Sequence, residues 1–112
     1  MAKKKTAETG KYADGKKGKI QVRVSDFDHG LRVFDNVKLV RINSSGYTLL
    51  IMEDYFPCLG RVSGEIELVQ EDNLTDLGSL KGFYVHRRNE FSLIIEDQLG
   101  PAAIQGGVED EQ

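Results

Sequence analysis

The chain has 112 residues, one cysteine and a formal net charge of −3, which together exclude several classes of protein. A chain of this length forms one small domain, and a single cysteine excludes an internal disulfide, as is usual in a reducing compartment. No apolar run approaches the ~20 residues of a membrane-spanning helix, and no apolar stretch follows the N-terminal lysines as a secretory signal requires. The sequence therefore predicts a soluble, cytoplasmic protein.

Charge and apolar content divide the chain into three segments. Residues 1–19 carry seven lysines and two acids, a net charge of +5, whereas residues 96–112 carry five acids and no base, a net charge of −5. Both ends are poor in large apolar side chains, so they cannot bury enough surface to offset the entropy lost on ordering. We therefore predict a flexible basic arm over 1–18, a folded domain over 19–97 and a flexible acidic tail over 98–112.

The middle of the chain alternates between apolar and polar residues, which is the pattern of half-buried β-strands. In the first run, Ile20, Val22 and Val24 share one face. Strands are predicted in chain order at 20–25, 31–34, 37–42, 47–52, 64–69, 80–85 and 90–95. The continuous apolar run of 47–52 predicts either burial on both faces or a strand that leads into the core.

Short segments rich in Gly, Asn and Asp separate the predicted strands, as turn residues do. Asp35-Asn36 is predicted to be a tight turn, 71–79 the longest loop, and 86–89 the tip of a hairpin. No window of eleven or more residues keeps the helical period of 3.6. The sequence therefore predicts an all-β fold, a small two-sheet β-sandwich of about 7–10 short strands with flexible tails.

The candidate catalytic and metal-binding residues each have a simpler structural explanation. Asp26, Asp28 and His29 have a spacing that occurs in metal-binding loops, but no glutamate closes a calcium loop, and turn chemistry explains the same residue types. Cys58 has no obvious neighbouring base, so we predict that it is a small buried apolar residue rather than a nucleophile. We therefore expect no metal site, no cofactor and no enzymatic activity.

Two further groups of charged residues are predicted to be solvated. Glu53 and Asp54 are adjacent, and adjacent side chains of an extended chain point to opposite sides. His86, Arg87 and Arg88 form a small basic cluster that could hold a phosphate or carboxylate group, although a solvated hairpin tip is the simpler explanation. A nucleic-acid-binding β domain that uses the lysine-rich arm with this cluster is an alternative, but basic and aromatic residues are not interleaved as stacking surfaces require.

The order of features along the chain carries a resemblance to a known family. An alternating strand at 20–24 is followed by the passage 34–42, a turn, the stretch "LIMEDYFPCL" (50–59) and a closing hairpin over 81–97. In this order the run from 20 to 97 resembles the N-terminal β-sandwich domain of the epsilon subunit of rotary F-type ATP synthases.

One loop shows both the match and the departure. The family loop typically reads gly-ile-x-pro-gly-his-ala-pro-leu-leu, and Pro57 falls on its second proline while Leu59 falls on its final leucine. Glu53, Asp54 and Tyr55 stand where the family usually has proline, glycine and histidine. The family also usually adds a two-helix hairpin, where this chain has a tail of glycine, proline and acidic residues.

The resemblance implies a non-catalytic coupling module that binds protein partners, namely the gamma subunit and the polar loops of the c-ring. It would then lie at the inner face of the membrane through its partner complex. The residues expected to bind partners are Asn36, Glu53, Asp54, Tyr55, Phe56, Pro57, Leu59, His86, Arg87 and Arg88. Tyr55 and Phe56 are the expected anchors. A sandwich of the same shape that serves an unrelated assembly is a further alternative, because fold does not fix function.

Overall fold

The structure, a computed structural model, describes residues 18–100 and the segment 103–104, and its regular structure there is β-strand. The strands are β1 (Ile20–Asp26), β2 (Gly30–Ser44), β3 (Tyr47–Met52), β4 (Cys58–Gln70), β5 (Leu74–Arg87), β6 (Glu90–Gln98) and β7 (Ala103–Ile104). Within the described residues, no helix has the length and apolar character that crossing a membrane requires. The prediction of an all-β fold is confirmed, whereas the arm over 1–17 lies outside the described residues.

Five of the strands close into a barrel. They pair in the order β1–β6–β5–β4–β2, and β2 also pairs with β1, which completes the ring. The β1–β6 pair is parallel, with Gln21 opposite Glu90 and Ser25 opposite Ile94, and the other pairs of the ring are antiparallel. β3 extends the sheet from β2, and β7 pairs with β5. The predicted two-sheet sandwich is therefore corrected to a closed barrel with additional strands.

The barrel closes because three strands are long and two of them, β2 and β5, bend through β-bulges. β2, β4 and β5 have 15, 13 and 14 residues, and an extra residue at a bulge bends a strand and increases its twist. In β2, Asp35 and Asn36 form a bulge against β1, and Asn36 has a left-handed φ of 59°. In β5, Leu77 and Gly78 lie opposite Ile66, and Gly78 has a φ of 83°. Each long strand is therefore shared by both halves of the sheet. Because the strands are shared, the sheet does not separate into two layers.

Two predicted breaks between strands are wrong for the same reason. Asp35-Asn36 is a bulge and not a turn, so the strands predicted on either side of it are the single strand β2. The loop predicted over 71–79 shrinks to 71–73, because β5 begins at Leu74. A left-handed asparagine or a glycine serves a bulge as well as a turn, so the residue type alone does not distinguish the two.

Alternate residues of the strands fill the core. Ile20, Val22 and Val24 are fully buried, as the alternation predicted, and so are Ile66 and Leu68. Burying one such aliphatic side chain contributes about 1.5–3 kcal/mol relative to leaving it exposed. The period-two pattern therefore identified the inner face of β1 and of the second half of β4 correctly.

β3 is an edge strand of the described sheet, and of the two alternatives predicted for it, burial on both faces is wrong. Among the described residues it pairs with β2 alone. Ile51 is fully buried, whereas Leu50 and Met52 are 44% and 56% exposed. Burial on both faces requires a covering layer on each side of a strand, and no described residue covers the outer side of β3. An apolar run alone does not report how many neighbours a strand has.

Strand pairing also continues beyond the predicted boundary at 97. The side chain of Gln98 donates hydrogen bonds from Nε2 to the backbone oxygens of Leu77 (3.0 Å), Ser79 (3.1 Å) and Gly100 (2.6 Å). β7 then pairs with the start of β5. Strand pairing therefore extends to Gln98 and resumes at β7, and the remainder of the predicted tail lies outside the described residues.

Gly82 offers a test of the close approach of β5 to β6. A Cβ atom on Gly82 would lie 2.1 Å from the backbone oxygen of Ile94. Because a backbone oxygen cannot rotate away, Gly82→Ala should force the two strands apart. We expect the free energy of unfolding to fall by about 1–3 kcal/mol, measured by urea denaturation. Lys81→Ala, at the exposed neighbouring position, should change it by less than about 0.5 kcal/mol, and equal effects would contradict the close approach.

Candidate protein-interaction surface

The loop 53–57 rests on the tip of the β5–β6 hairpin. The hairpin turn consists of Arg88 and Asn89, whose φ values of 52° and 60° are both left-handed, as a type I′ turn requires. The N–H of Asp54 donates to Asn89 Oδ1 at 2.7 Å, and Asn89 Nδ2 donates to Asp54 Oδ1 at 3.0 Å. This reciprocal pair of hydrogen bonds fixes the loop against the hairpin tip.

The loop 53–57 and the hairpin tip, two of the three regions predicted to bind partners, therefore lie side by side. The third, at Asn36, lies elsewhere. The backbone oxygen of Asn89 also accepts a hydrogen bond from the N–H of Gln21 at 2.8 Å, which ties the tip to β1. Asn36 lies in the β2 bulge, where it lines a surface depression with Gln70 and residues 71–73. No hydrogen bond between described residues joins Asn36 to the loop 53–57.

The two aromatic residues of the loop differ in exposure. Tyr55 is half-buried and packs against the core, with its ring centroid 5.3 Å from that of Phe56. Phe56 is 73% exposed, and Leu59 at the start of β4 is 77% exposed. Pro57 immediately precedes β4, as suits a residue with no N–H to donate to a strand. The loop thus anchors itself through Tyr55 and presents Phe56 to solvent.

His86 is fully buried, which corrects the prediction that it lies at a solvated tip. Its ring lies beneath Tyr55, at a centroid distance of 6.5 Å, and beside Phe91, at 6.2 Å. Neither ring nitrogen has a hydrogen-bond partner among the described residues. Burial therefore lowers the pKa of His86, because the charged ring would be desolvated without compensation. His86 supports the loop from below, while Arg87 and Arg88 are exposed.

Cys58 and His86 face each other across β4 and β5, but they do not form a nucleophile–base pair. They are directly opposite in the register, yet both nitrogens of the histidine lack a hydrogen-bond partner. Burial raises the pKa of the Cys58 thiol, whereas a nucleophilic cysteine needs a lowered one. The pair therefore contributes to packing beneath the loop.

The Asp26–His29 segment forms a turn around one carboxylate. Asp26 Oδ1 accepts a hydrogen bond from the N–H of His29 at 2.6 Å, and Asp26 Oδ2 accepts one from Arg32 Nη2 at 3.0 Å. Burial raises the pKa of Asp26, but the hydrogen bonds from His29 and the charges of His29 and Arg32 outweigh burial and lower it below 3.8. Among the described residues, no three His, Cys, Asp or Glu side chains are arranged to hold a metal ion.

The outer face of the barrel carries a set of exposed apolar side chains that the sequence analysis did not identify. The strand register places residues of β4, β5, β6, β1 and β2 side by side in two rows. The first row is Leu59, Val85, Ser92, Arg23 and Val33, and the second row is Arg61, Phe83, Ile94, Ser25 and Leu31. These residues are called the outer band below.

The outer band is mostly apolar and open to solvent. Its six apolar side chains are between 36% and 77% exposed. Single exposed apolar residues are normal on a protein surface, but a contiguous set of them marks an interaction site. Of the residues predicted to bind partners, Leu59 belongs to this band. The alternation within each strand did not reveal it, because the band depends on the register between strands.

Comparisons with known proteins establish the fold. No protein-family model matches the sequence, and no curated protein matches it. Among solved structures, a chain in the cryo-EM structure of the central stalk and c-ring of the Tetrahymena thermophila mitochondrial ATP synthase matches with a TM-score of 0.56 and 14% identity. The match covers 72% of this chain and 66% of that chain, slightly under two thirds of its length. At this identity the likeness shows a shared fold.

Asn89→Gly tests the bond between the loop and the hairpin tip. Glycine keeps the left-handed turn but removes both hydrogen bonds to Asp54, so we expect a loss of about 0.5–1.5 kcal/mol in the free energy of unfolding. The amide of Asp54 should also exchange its hydrogen faster, measured by NMR. Arg88→Gly is the matched control, because it occupies the same turn and makes no hydrogen bond to the loop. Equal exchange at Asp54 in both variants would contradict the assignment.

Because His86 is buried, we predict that mild acidification lowers the stability of the protein. Its pKa is lower in the folded protein than the value of about 6.5 of an unfolded chain, so the unfolded state binds more protons as the pH falls below that value. Stability should be complete above about pH 6.5 and decrease below it, by at most about 1.4 kcal/mol per pH unit for one proton. Urea denaturation between about pH 7.5 and about pH 5 measures this dependence.

His86→Leu should remove this dependence, and His29→Gln should keep it. His29 is the suitable control because its side chain is 57% exposed. The stabilisation linked to the lowered pKa of Asp26 is lost only as the pH falls below 3.8, which lies outside the window. A wild-type curve that is flat between neutral pH and pH 5, or equal slopes in wild type and His86→Leu, would show that the burial of His86 has no such consequence.

Proposed function

We propose that this chain is a non-catalytic protein-interaction module that couples rotor subunits in the manner of the epsilon β domain of F-type ATP synthases. The observation that carries the proposal is the outer band, an exposed apolar surface on a barrel whose own core is already complete. Removing a surface of this kind from water lowers the free energy, so binding of a partner there is favourable. The shared fold with a chain of an ATP synthase stalk and c-ring structure supports the rotor context.

The geometry supports contacts with different partners for two parts of the surface. The outer band would pack against a stalk subunit of the gamma type. The loop 53–57 and the hairpin tip would form one end of the module and rest on polar loops of a c-ring. In this arrangement Phe56 and the exposed Arg87 and Arg88 reach the partner, whereas His86 and Tyr55 hold the loop in position. No side chain needs to perform chemistry, because the role is to hold neighbouring subunits together.

The test is capture of the intact complex from cells that encode the protein. The tagged full chain should recover the alpha, beta and gamma subunits of an ATP synthase, identified by mass spectrometry. Ile94→Asp places a charge in the centre of the outer band and should reduce this recovery by about tenfold or more, because a buried unpaired carboxylate is costly. Ile94 is 49% exposed, so the variant should fold, which circular dichroism would verify.

Leu50→Asp is the matched control for the capture. Leu50 is 44% exposed but lies on β3, outside the outer band, so recovery of the subunits should stay near the wild-type level. Recovery of an unrelated set of proteins, with none of the ATP synthase subunits, would refute the rotor role. Equal losses in Leu50→Asp and Ile94→Asp would refute the part assigned to the outer band.

A further inference from the structure

We infer that the outer band binds an acidic amphipathic helix of a partner protein, one whose apolar stripe is flanked by carboxylates. The inference deepens the proposed function, because it concerns the same surface and specifies the chemistry of the segment that covers it. Three properties of the band support this inference. Its charges have one sign, its arginines form no ion pair with the described carboxylates, and its apolar area has the shape of a helix.

The charges within the band have one sign. Of its ten residues, six are apolar, two are serines and two are arginines, and none is acidic. Arg61 and Arg23 stand on β4 and β1, with the apolar residues of β5 and β6 between them. A partner that covers the band must bring carboxylates to these two positions, because burying an arginine without a partner charge costs free energy.

Within the part of the chain that the structure describes, both arginines are free to receive a carboxylate. The guanidinium of Arg61 lies over the ring of Phe83, with its Cζ atom 5.8 Å from the ring centroid. Arg23 donates from Nε to Oε1 of Gln21 at 3.1 Å, which leaves its terminal nitrogens available. Neither arginine forms an ion pair with a carboxylate of the described residues. Stacking on Phe83 also holds Arg61 at the edge of the apolar area, where a planar fork can bind a carboxylate in a bidentate manner.

The shape of the apolar area fits a helix that lies across the strands. Neighbouring strands are about 4.8 Å apart, so the three strand steps from Arg61 to Arg23 span roughly 14 Å across the strands, measured along the sheet. The two rows are two residues apart along each strand, which is about 7 Å. An area that is long across the strands and narrow along them matches a helix about 10–12 Å wide with its side chains. A length of roughly 14 Å corresponds to about nine or ten helical residues at 1.5 Å each.

A pair of designed peptides tests this inference. Both would be helices of about 20 residues with the same apolar stripe, flanked by glutamates in one peptide and by lysines in the other. Fluorescence anisotropy should show that the full-length protein binds the glutamate peptide at least about tenfold more tightly than the lysine peptide. The double variant Arg23→Glu, Arg61→Glu should lose or reverse this preference, and the milder Arg23→Gln, Arg61→Gln variant should abolish it without charge repulsion.

Lys38→Glu is the matched control, because it reverses the charge of a basic residue of β2 that lies outside the band and outside the loop and the hairpin tip. It should keep the wild-type preference. Equal binding of the two peptides to the wild type would overturn the inference. So would a loss of preference in Lys38→Glu but not in the band variants, or tighter binding of a single-stranded oligonucleotide than of the glutamate peptide. Thermal unfolding of each variant shows whether its fold is intact.

These outcomes are distinct from those of the capture experiment. Peptide discrimination without recovery of ATP synthase subunits would leave the chemistry of the band established and refute the rotor role. Recovery of those subunits without peptide discrimination would support the rotor role and refute the acidic helix as its contact.

Discussion

The parallel pairing of β1 with β6 is the contact on which the rest of the structure depends. It joins strands from opposite ends of the described chain and closes the barrel. The same register brings the β5–β6 hairpin tip to the start of β1, where Asn89 accepts a hydrogen bond from Gln21, and Asn89 in turn holds the loop 53–57. It also sets Arg23 beside Ser92. One register therefore determines both the position of the loop and the continuity of the outer band.

Closure of so small a sheet requires its long strands to bend, and side-chain amides stabilise one of the bends. At the β2 bulge, Gln21 Nε2 donates to Asp35 Oδ1 at 2.9 Å, and Gln70 Nε2 donates to the backbone oxygen of Asp35 at 2.6 Å. The two glutamines come from the two strands that pair with β2 on either side. They fix the point at which β2 turns from one neighbour to the other, and the left-handed Asn36 completes the bend. Polar side chains near the surface thus help to fix the bend that closes the barrel.

Local patterns predicted much of this fold, and contacts between distant segments account for what they missed. Alternation identified the buried face of β1, and turn residues identified the hairpin at Arg88-Asn89, because both depend on neighbours in sequence. The sequence predicts a turn at Asn36 where the structure has a bulge, since a left-handed asparagine serves either. The sequence predicts a solvated His86, whereas its burial depends on Tyr55, which reaches it from another part of the chain. The outer band depends on the register of five strands, which no single strand encodes.

The type I′ turn at Arg88 and Asn89 also bears on the order in which the chain folds. A hairpin with a two-residue turn forms from local contacts within about 1–10 μs, whereas the β1–β6 pair must first overcome the entropy of closing a long loop. The β5–β6 hairpin is therefore expected to form before the barrel closes. During that interval the hairpin presents Phe83 and Ile94 on one side and Phe91 and Leu93 on the other. The folding chain is then most exposed to aggregation, and closure of the barrel hides the second of these two surfaces.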